Sequence, residues 1–442
     1  MQKKKLVLHA LVAAACISIQ QAHSTTLINY SGTTYSVYNT SVAYTTDPAL
    51  FQSTPWWGNA SLAQALAALY HPGGQTVFVY ALQSGSPNVT AGYYYSAGMP
   101  PFIPAGVMGA WINDSAAGDY VFGTIYVPGP SATDTNISTS AITSALISPF
   151  ALQTSKLKSN LLNDCSVFDQ RGICVGVAGN YSVMGSNGPE NSAAVVYGGY
   201  RINDHVRVGA WADQGTSSQT SGTSVVFNNN NPMLGGYVAW TQHPGQSGFG
   251  ARASFGYGDR NLKLTRDVTG SSEAGTGTSD LTTQGINLEV SYYYPLNHGW
   301  VVSPFGGLRY TKTSMAGYTE QTSSGVTAPL TYGTLTNETT TAVLGARFNG
   351  RLNAKTSLNA TVGIEQDTSS NGGTATVTNS TIGSLNDISV VTATNRTRAF
   401  ASVGVDYEVK KSQHLGVSLA YQDQAYSKSA VTAAQIKYTI GF

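Results

Sequence analysis

Along the second half of the chain, apolar and polar side chains alternate with a period of two, and the charges keep to one parity. Ala342, Leu344, Ala346, Phe348 and Leu352 share one parity, while Gly345, Arg347, Asn349 and Arg351 share the other. Leu358, Ala360, Val362 and Ile364 oppose Asn359, Thr361 and Glu365 in the same way. Nearer the end, Ala401, Val403, Val405, Tyr407 and Val409 oppose Arg398, Ser402, Asp406 and Glu408. Earlier, Val206, Val208 and Ala210 oppose Arg207 and Asp213. A period of two belongs to β-strands, whose successive side chains point to opposite faces. A charge facing lipid costs roughly 2–4 kcal/mol near the middle of a membrane, whereas charges of both signs are tolerated against a wet lumen. The unbroken apolar parity therefore suits lipid and the charged parity suits a lumen. Tyr292, Tyr294 and Trp300 flank one short turn, as the aromatic girdles of a membrane barrel do.

Twelve segments of barrel-strand length follow Gly172, beginning near Gly172, Asn191, His205, Pro232, Gly248, Asp280, Gly299, Thr339, Thr356, Arg396, Gln413 and Val431. Tight connections at Asn203-Asp204, Leu296-Asn297-His298 and Asn353-Ala354-Lys355 contrast with long Ser/Thr/Gly/Asn stretches. Those stretches are Asp213 to Asn231, Val268 to Asp280, Ala316 to Asn337 and Ser369 to Asn395. Short turns on one side and long loops on the other are the pattern of a transmembrane β-barrel. The final segment is the most regular: Ala434, Ile436, Tyr438, Ile440 and Phe442 on one parity, Gln435, Lys437, Thr439 and Gly441 on the other.

The rest of the chain fits an exported protein. Lys3, Lys4 and Lys5 precede an apolar run from Leu6 to Ile19, and Ala22-His23-Ser24 supplies small residues for cleavage, so residues 1–24 read as a signal peptide. No run of about 18 apolar residues follows that would make a helical span. Only 10% of residues are charged, against about 25% in soluble domains, and the 26 tyrosines argue against disorder. The net charge of +1 gives no sign of a nucleic-acid partner. Cys16 lies in the signal peptide, which leaves Cys165 and Cys174; two nearby cysteines in an exported chain are expected to form a disulfide.

Charge also divides the chain. From Leu6 to Thr154 there is no Lys or Arg, and the acids are Asp47, Asp114, Asp119 and Asp134. Residues 25–137 read as a short segment of mixed structure, with a helix over Ala60–Leu69 after Trp56-Trp57-Gly58-Asn59 and strands near Thr76–Leu82 and Tyr120–Val127. The tryptophan pair reads as core. Residues 138–171 form a linker with helical spacing over Ser138 to Ile147 and again over Phe150 to Asn163, interrupted at Pro149.

The stretch from about Ser138 to Phe442 resembles the autotransporter β-barrel domain, the translocator of type V secretion in Gram-negative bacteria. The resemblance rests on the helix-like stretch, the twelve strands and the last strand, with Phe442, Ile440, Tyr438 and Ile436 as the row that the assembly machinery reads. The phrases Tyr197-Gly198-Gly199-Tyr200-Arg201-Ile202-Asn203-Asp204 and Val206-Arg207-Val208-Gly209-Ala210 also look like the family's early hairpin. It implies a helix through the pore, residence in the outer membrane lipid and a passenger carried to the cell surface. It also implies dealings with the general secretion machinery and the barrel assembly machinery.

The expected fold is thus all-β: a 12-stranded antiparallel transmembrane barrel over 172–442, a helix in its pore and a small N-terminal passenger of mixed structure. The chain is expected to be a monomer. Arg207, Arg309, Arg347, Arg351 and Arg398 are expected to face Glu289, Glu365, Asp406 or Glu408 across the lumen, with Val208, Leu288, Leu344, Val362, Val405 and Ile440 outside. No cofactor, metal or catalytic activity is expected. His71 lies in a turn without a Ser or Cys motif, and Gly245-Gln246-Ser247-Gly248-Phe249 lacks the last glycine of a nucleophile elbow. A porin or adhesin working through its loops is the alternative, and a helix in the pore separates the two.

Overall fold

The computed structural model describes residues 25–70, 76–82, 89–96, 106–113, 118–125, 129–185, 189–219, 224–244, 246–390, 395–425 and 430–442. The expected signal peptide, together with His71 and Gly245, lies outside the described residues. The chain forms two compact units, residues 1–128 and 129–442.

The first unit is mixed. Strands Thr26–Tyr30, Thr33–Val42 and Gly118–Ile125 form one antiparallel sheet, and Phe78–Leu82, Val89–Ser96 and Gly106–Asn113 form another. Helix α1 spans Pro48–Gln52, and helix α2 spans Ala60–Leu69. The Asn59 side chain caps α2 by accepting the Leu62 N–H at 3.0 Å. Ala63, Leu66 and Ala67 of α2 are buried against Trp56, Val37 and Phe78. Trp56 meets Phe78 edge-on with ring centres 5.1 Å apart, and Trp57 stacks on Tyr44 at 5.8 Å, so both tryptophans pack against aromatic neighbours within this unit.

The second unit is a closed barrel. Its strands are β1 (Ile173–Met184), β2 (Glu190–Arg201), β3 (Val206–Gln219), β4 (Met233–Thr241), β5 (Gly248–Arg266) and β6 (Gly275–Pro295). They continue as β7 (Trp300–Met315), β8 (Leu335–Arg351), β9 (Thr356–Gly372), β10 (Thr397–Lys410), β11 (Gln413–Asp423) and β12 (Ala430–Gly441). Each pairs antiparallel with the next, and β12 returns to β1 from Val431–Met184 to Gly441–Cys174. Phe442 extends this seam, its N–H donating to the Ile173 carbonyl at 2.8 Å.

Local chemistry makes the turns tight. Asn203 accepts from the His205 and Val206 backbone N–H groups at 2.9 and 2.8 Å, and Asn353 repeats this with Lys355 and Thr356, both at 2.9 Å. Such self-bonding asparagines replace a backbone turn. A 3₁₀ turn over Asn297–Gly299 joins β6 to β7. These connections share one end of the barrel, the turn end; the longer ones gather at the other, the loop end.

The strands run further than the expected loops allow. β5, β6, β8 and β9 are 19, 21, 17 and 17 residues long, beyond the about 9–11 that cross a membrane. β6 begins at Gly275 rather than near Asp280, and β8 at Leu335 rather than near Thr339. β3 and β9 likewise extend into stretches expected to be loop, ending at Gln219 and Gly372. Ser, Thr and Gly there read as loop composition, but Thr is β-branched and ladder pairing continues past the membrane.

The outward row is apolar over the turn-ward part of the strands, where Leu288 is 50% exposed, Leu344 60%, Val362 51% and Val405 41%, and turns polar towards the loop end at Lys263, Asp280, Lys312 and Glu338. An arginine at Leu288 or Val362 should destabilise the inserted barrel by about 2–4 kcal/mol. Urea unfolding in lipid vesicles measures this, and an arginine substituted at exposed Ala354 in the β8–β9 turn serves as the neutral comparison.

Candidate functional site: the filled lumen

A single helix fills the lumen. Helix α3 runs unbroken from Ala132 to Asn160 with Pro149 inside it, which corrects the expected interruption. Ile137 and Ser138, where the sequence reading divides the segments, are both helical. Proline removes one helical hydrogen bond and costs about 3 kcal/mol in an isolated helix. Here Leu146, Phe150 and Ala151 around it are almost completely buried, and that packing offsets the loss. The helix start carries a readable signal, since the Ser131 hydroxyl accepts the Asp134 N–H at 3.1 Å, a capping arrangement spaced Ser-x-x-Asp.

The loop-end half of α3 is the centre of an apolar dome. Ile142, Leu146 and Phe150, four residues apart, pack with Leu262, Leu281, Met315 and Leu335 of the strands and with Leu330, Tyr332, Val377 and Ile388 of the connections β7–β8 and β9–β10. Arg266 and Glu320 form a buried pair in this dome, both contacts 2.8 Å, and Tyr332 donates to Glu320 at 3.2 Å. At the rim, Asp134 accepts from the Ser271 N–H at 2.9 Å and hydroxyl at 2.7 Å, which holds its carboxyl below the ordinary range.

The other half of α3 is held by charge. Lys158 reaches Glu365 on β9 at 2.9 Å, and Lys156 reaches Asp213 on β3 at 2.7 Å. Asn160 donates to the same Asp213 at 2.5 Å. Glu365 is a hub: Arg309 approaches it at 2.5 Å, Arg398 at 3.4 Å and Gln422 at 3.0 Å. Arg398 also grips Asp367 with two contacts of 2.6 and 2.5 Å, and Thr341 donates to Asp367 at 2.8 Å. Higher in the pore Thr154 meets Thr313 at 3.0 Å, and Ser155 donates to Gln424 at 2.9 Å.

The leucines find an apolar patch on the wall: Leu157 and Leu161 pack with Tyr197, Trp211 and Met233 beside Cys165 and Cys174. Those cysteines are bonded, with an S–S distance of 1.99 Å, and tie the end of the helix to β1. Tyr237 accepts the Cys165 N–H at 2.8 Å, Ser254 donates to the Leu161 carbonyl at 2.8 Å, and Arg252 donates to the Leu162 and Asn163 carbonyls.

The strand charges pair differently from the expected set. Arg309 and Arg398 do meet Glu365, and Arg347 meets Glu289 at 2.6 and 2.7 Å while stacking on Phe305. Arg207 instead takes Asp164, just after the helix, at 3.0 and 2.6 Å, and Asp406 takes Lys437 at 3.1 Å. Arg351 is exposed at the turn end and Glu408 is half-buried there, neither in an ion pair with a described residue. Parity fixes the side of a strand but not the depth along it, so these two reach water rather than the lumen. Asp213 was placed on the charged parity but without its partner Lys156, which lies on the helix. Asp164, which meets Arg207 just after the helix, and Asp367, which meets Arg398 of the next strand across a long connection, were not singled out because neither contact follows from strand parity.

Breaking a buried pair costs about 3–5 kcal/mol, because it strands the remaining charge. Glu365→Gln leaves Lys158 and Arg309 without their carboxylate and Arg398 with Asp367 alone, and should lower stability by that amount. Asp406→Asn, which releases the part-exposed Lys437, should cost within about 0–1 kcal/mol. Unfolding followed by tryptophan fluorescence separates the two.

Residues 178–428 match the autotransporter beta-domain family. Among solved structures, the translocator domain of autotransporter NalP from Neisseria meningitidis is 19% identical and aligns over 71% of this chain and 100% of its own, with a TM-score of 0.49. The beta domain of the Bordetella autotransporter BrkA is 16% identical over 61% of this chain and 99% of its own, TM-score 0.40. The transport unit of AIDA-I from Escherichia coli is 13% identical over 71% and 99%, TM-score 0.40. No curated protein matches the chain.

Proposed function

This chain belongs to the autotransporter family, whose barrel is anchored in the outer membrane and translocates the segment ahead of it, and we propose that this segment runs from residue 25 to the start of α3 and is displayed at the cell surface. The observation that supports this most is α3 itself. Its first residue, Ala132, lies at the loop end and its last, Asn160, near the turn end, where a disulfide joins the following residues to β1. A chain so arranged leaves the pore on the loop side. The loop end then faces outside and the turn end the periplasm, as in other outer-membrane barrels.

In this reading residues 1–24 direct export through the general secretion machinery, and the barrel assembly machinery inserts the strands, reading the outward row Ile436, Tyr438, Ile440 and Phe442 of β12. The protein works as a monomer. The polar wall serves the passing chain first and α3 afterwards, with Lys156 and Lys158 stopping against Asp213 and Glu365. A porin is disfavoured by α3, which occupies the space that solutes would use.

Proteinase K added to intact cells should remove an epitope placed at residue 25 and leave the barrel as a protected, heat-modifiable band. Trypsin should spare the passenger even when it is fully exposed, because no Lys or Arg occurs from Leu6 to Thr154. An epitope that proteinase K reaches only after the outer membrane is permeabilised would contradict surface display.

A further inference from the structure

Arg351 and Glu408 share the inward parity with the lumen charges yet stop at the turn end, and what surrounds them is basic. Arg351, Lys355, Lys410 and Lys411 are all exposed, and none forms an ion pair with a described residue. They sit on adjoining turns. Thr356 pairs with Tyr407 and Lys410 with Gln413, while the Glu408 N–H donates to the Lys355 carbonyl at 2.7 Å. Four exposed cations thus lie on the adjoining β8–β9 and β10–β11 turns, with Glu408 on the same rim.

The same rim borders the lipid-facing surface. Leu352 is 55% exposed, Tyr407 44%, Val409 41% and Leu415 39%, and these outward residues adjoin the cations in sequence. An apolar row meets acyl chains, so cations one step beyond it lie at headgroup depth, where long Lys and Arg stems reach the interface. Among the described residues no carboxylate forms an ion pair with any of the four.

We infer that this rim binds the phosphates of anionic phospholipid headgroups and fixes the depth of the barrel in the leaflet at the turn end. The inference rests on the membrane reading above and takes that leaflet to be the periplasmic one. A lipid is the occupant because cations and apolar residues adjoin as phosphate and acyl chain do in one molecule. A protein with an acidic surface would match the charges and leave the apolar row unmatched. Each cation near an anionic surface strengthens binding, and the attraction weakens with salt.

The test uses the purified full-length protein in detergent, titrated with phosphatidylglycerol or phosphatidylcholine and read by native mass spectrometry. The protein should retain phosphatidylglycerol in preference to phosphatidylcholine, and added salt should erode the preference. The variant R351Q/K355Q/K410Q/K411Q should bind phosphatidylglycerol about tenfold more weakly or worse. The milder pair K410Q/K411Q should lose an intermediate share. Lys263→Gln with Arg396→Gln, exposed positions at the loop end, should change nothing. Equal retention of the two lipids by the parent, or undiminished retention by both rim variants, would overturn the inference. Insertion into phosphatidylcholine vesicles tests the membrane reading separately: a parent protein that inserts but shows no lipid preference refutes only the headgroup site.

Discussion

Everything in the second unit follows from the need to pair backbone N–H and C=O groups where no water can reach them. An unpaired group in hydrocarbon costs several kcal/mol, so a sheet crossing a membrane has to close. Here the closing contact is the seam between β12 and β1, paired from Val431–Met184 through Gly441–Cys174. Closure sorts every side chain to the inside or the outside. The outside is then fixed as apolar by lipid, and the inside is left to whatever the enclosed space requires.

What that space holds is a helix, and its two halves are held by different forces. Near the loop end, Ile142, Leu146 and Phe150 join a hydrophobic cluster that strands and connections complete. Near the turn end, ion pairs and a disulfide take over. Glu365 is the clearest case, a buried carboxylate that receives one lysine from the helix and two arginines from the wall. Buried charges of this kind contribute little net stability but penalise any arrangement that leaves one unpaired. They set the register of α3 in the pore more than they strengthen it.

Much of this was legible in the sequence. Twelve strands could be counted because lipid on one side and a lumen on the other impose opposite rules on alternate residues. Turns such as Asn203-Asp204 and Asn353-Ala354-Lys355 could be placed because asparagine bonds its own backbone. Depth was less legible: Arg351 and Glu408 obey the inward parity and still end in water. The length of α3 was hidden because its second half is buried on nearly every side and so shows no single apolar stripe, and Pro149 suggested a break that burial overrides. The ion-pair partners of Lys156 and Lys158 were out of reach for a further reason. Which strand faces a given turn of the helix depends on the barrel's register, and no local pattern encodes it.

The account stands on α3 lying inside a closed, membrane-inserted barrel, and a covalent test of one contact is the most direct. The hydroxyls of Thr154 on α3 and Thr313 on β7 are 3.0 Å apart. Cysteines introduced at these two positions, oxidised in native outer membranes and read by mass spectrometry of the linked peptides, should cross-link nearly completely. The pair Thr154→Cys with Val405→Cys, whose second member faces lipid, should not. Free thiols at both 154 and 313 in correctly inserted, heat-modifiable barrels would contradict a helix in the pore.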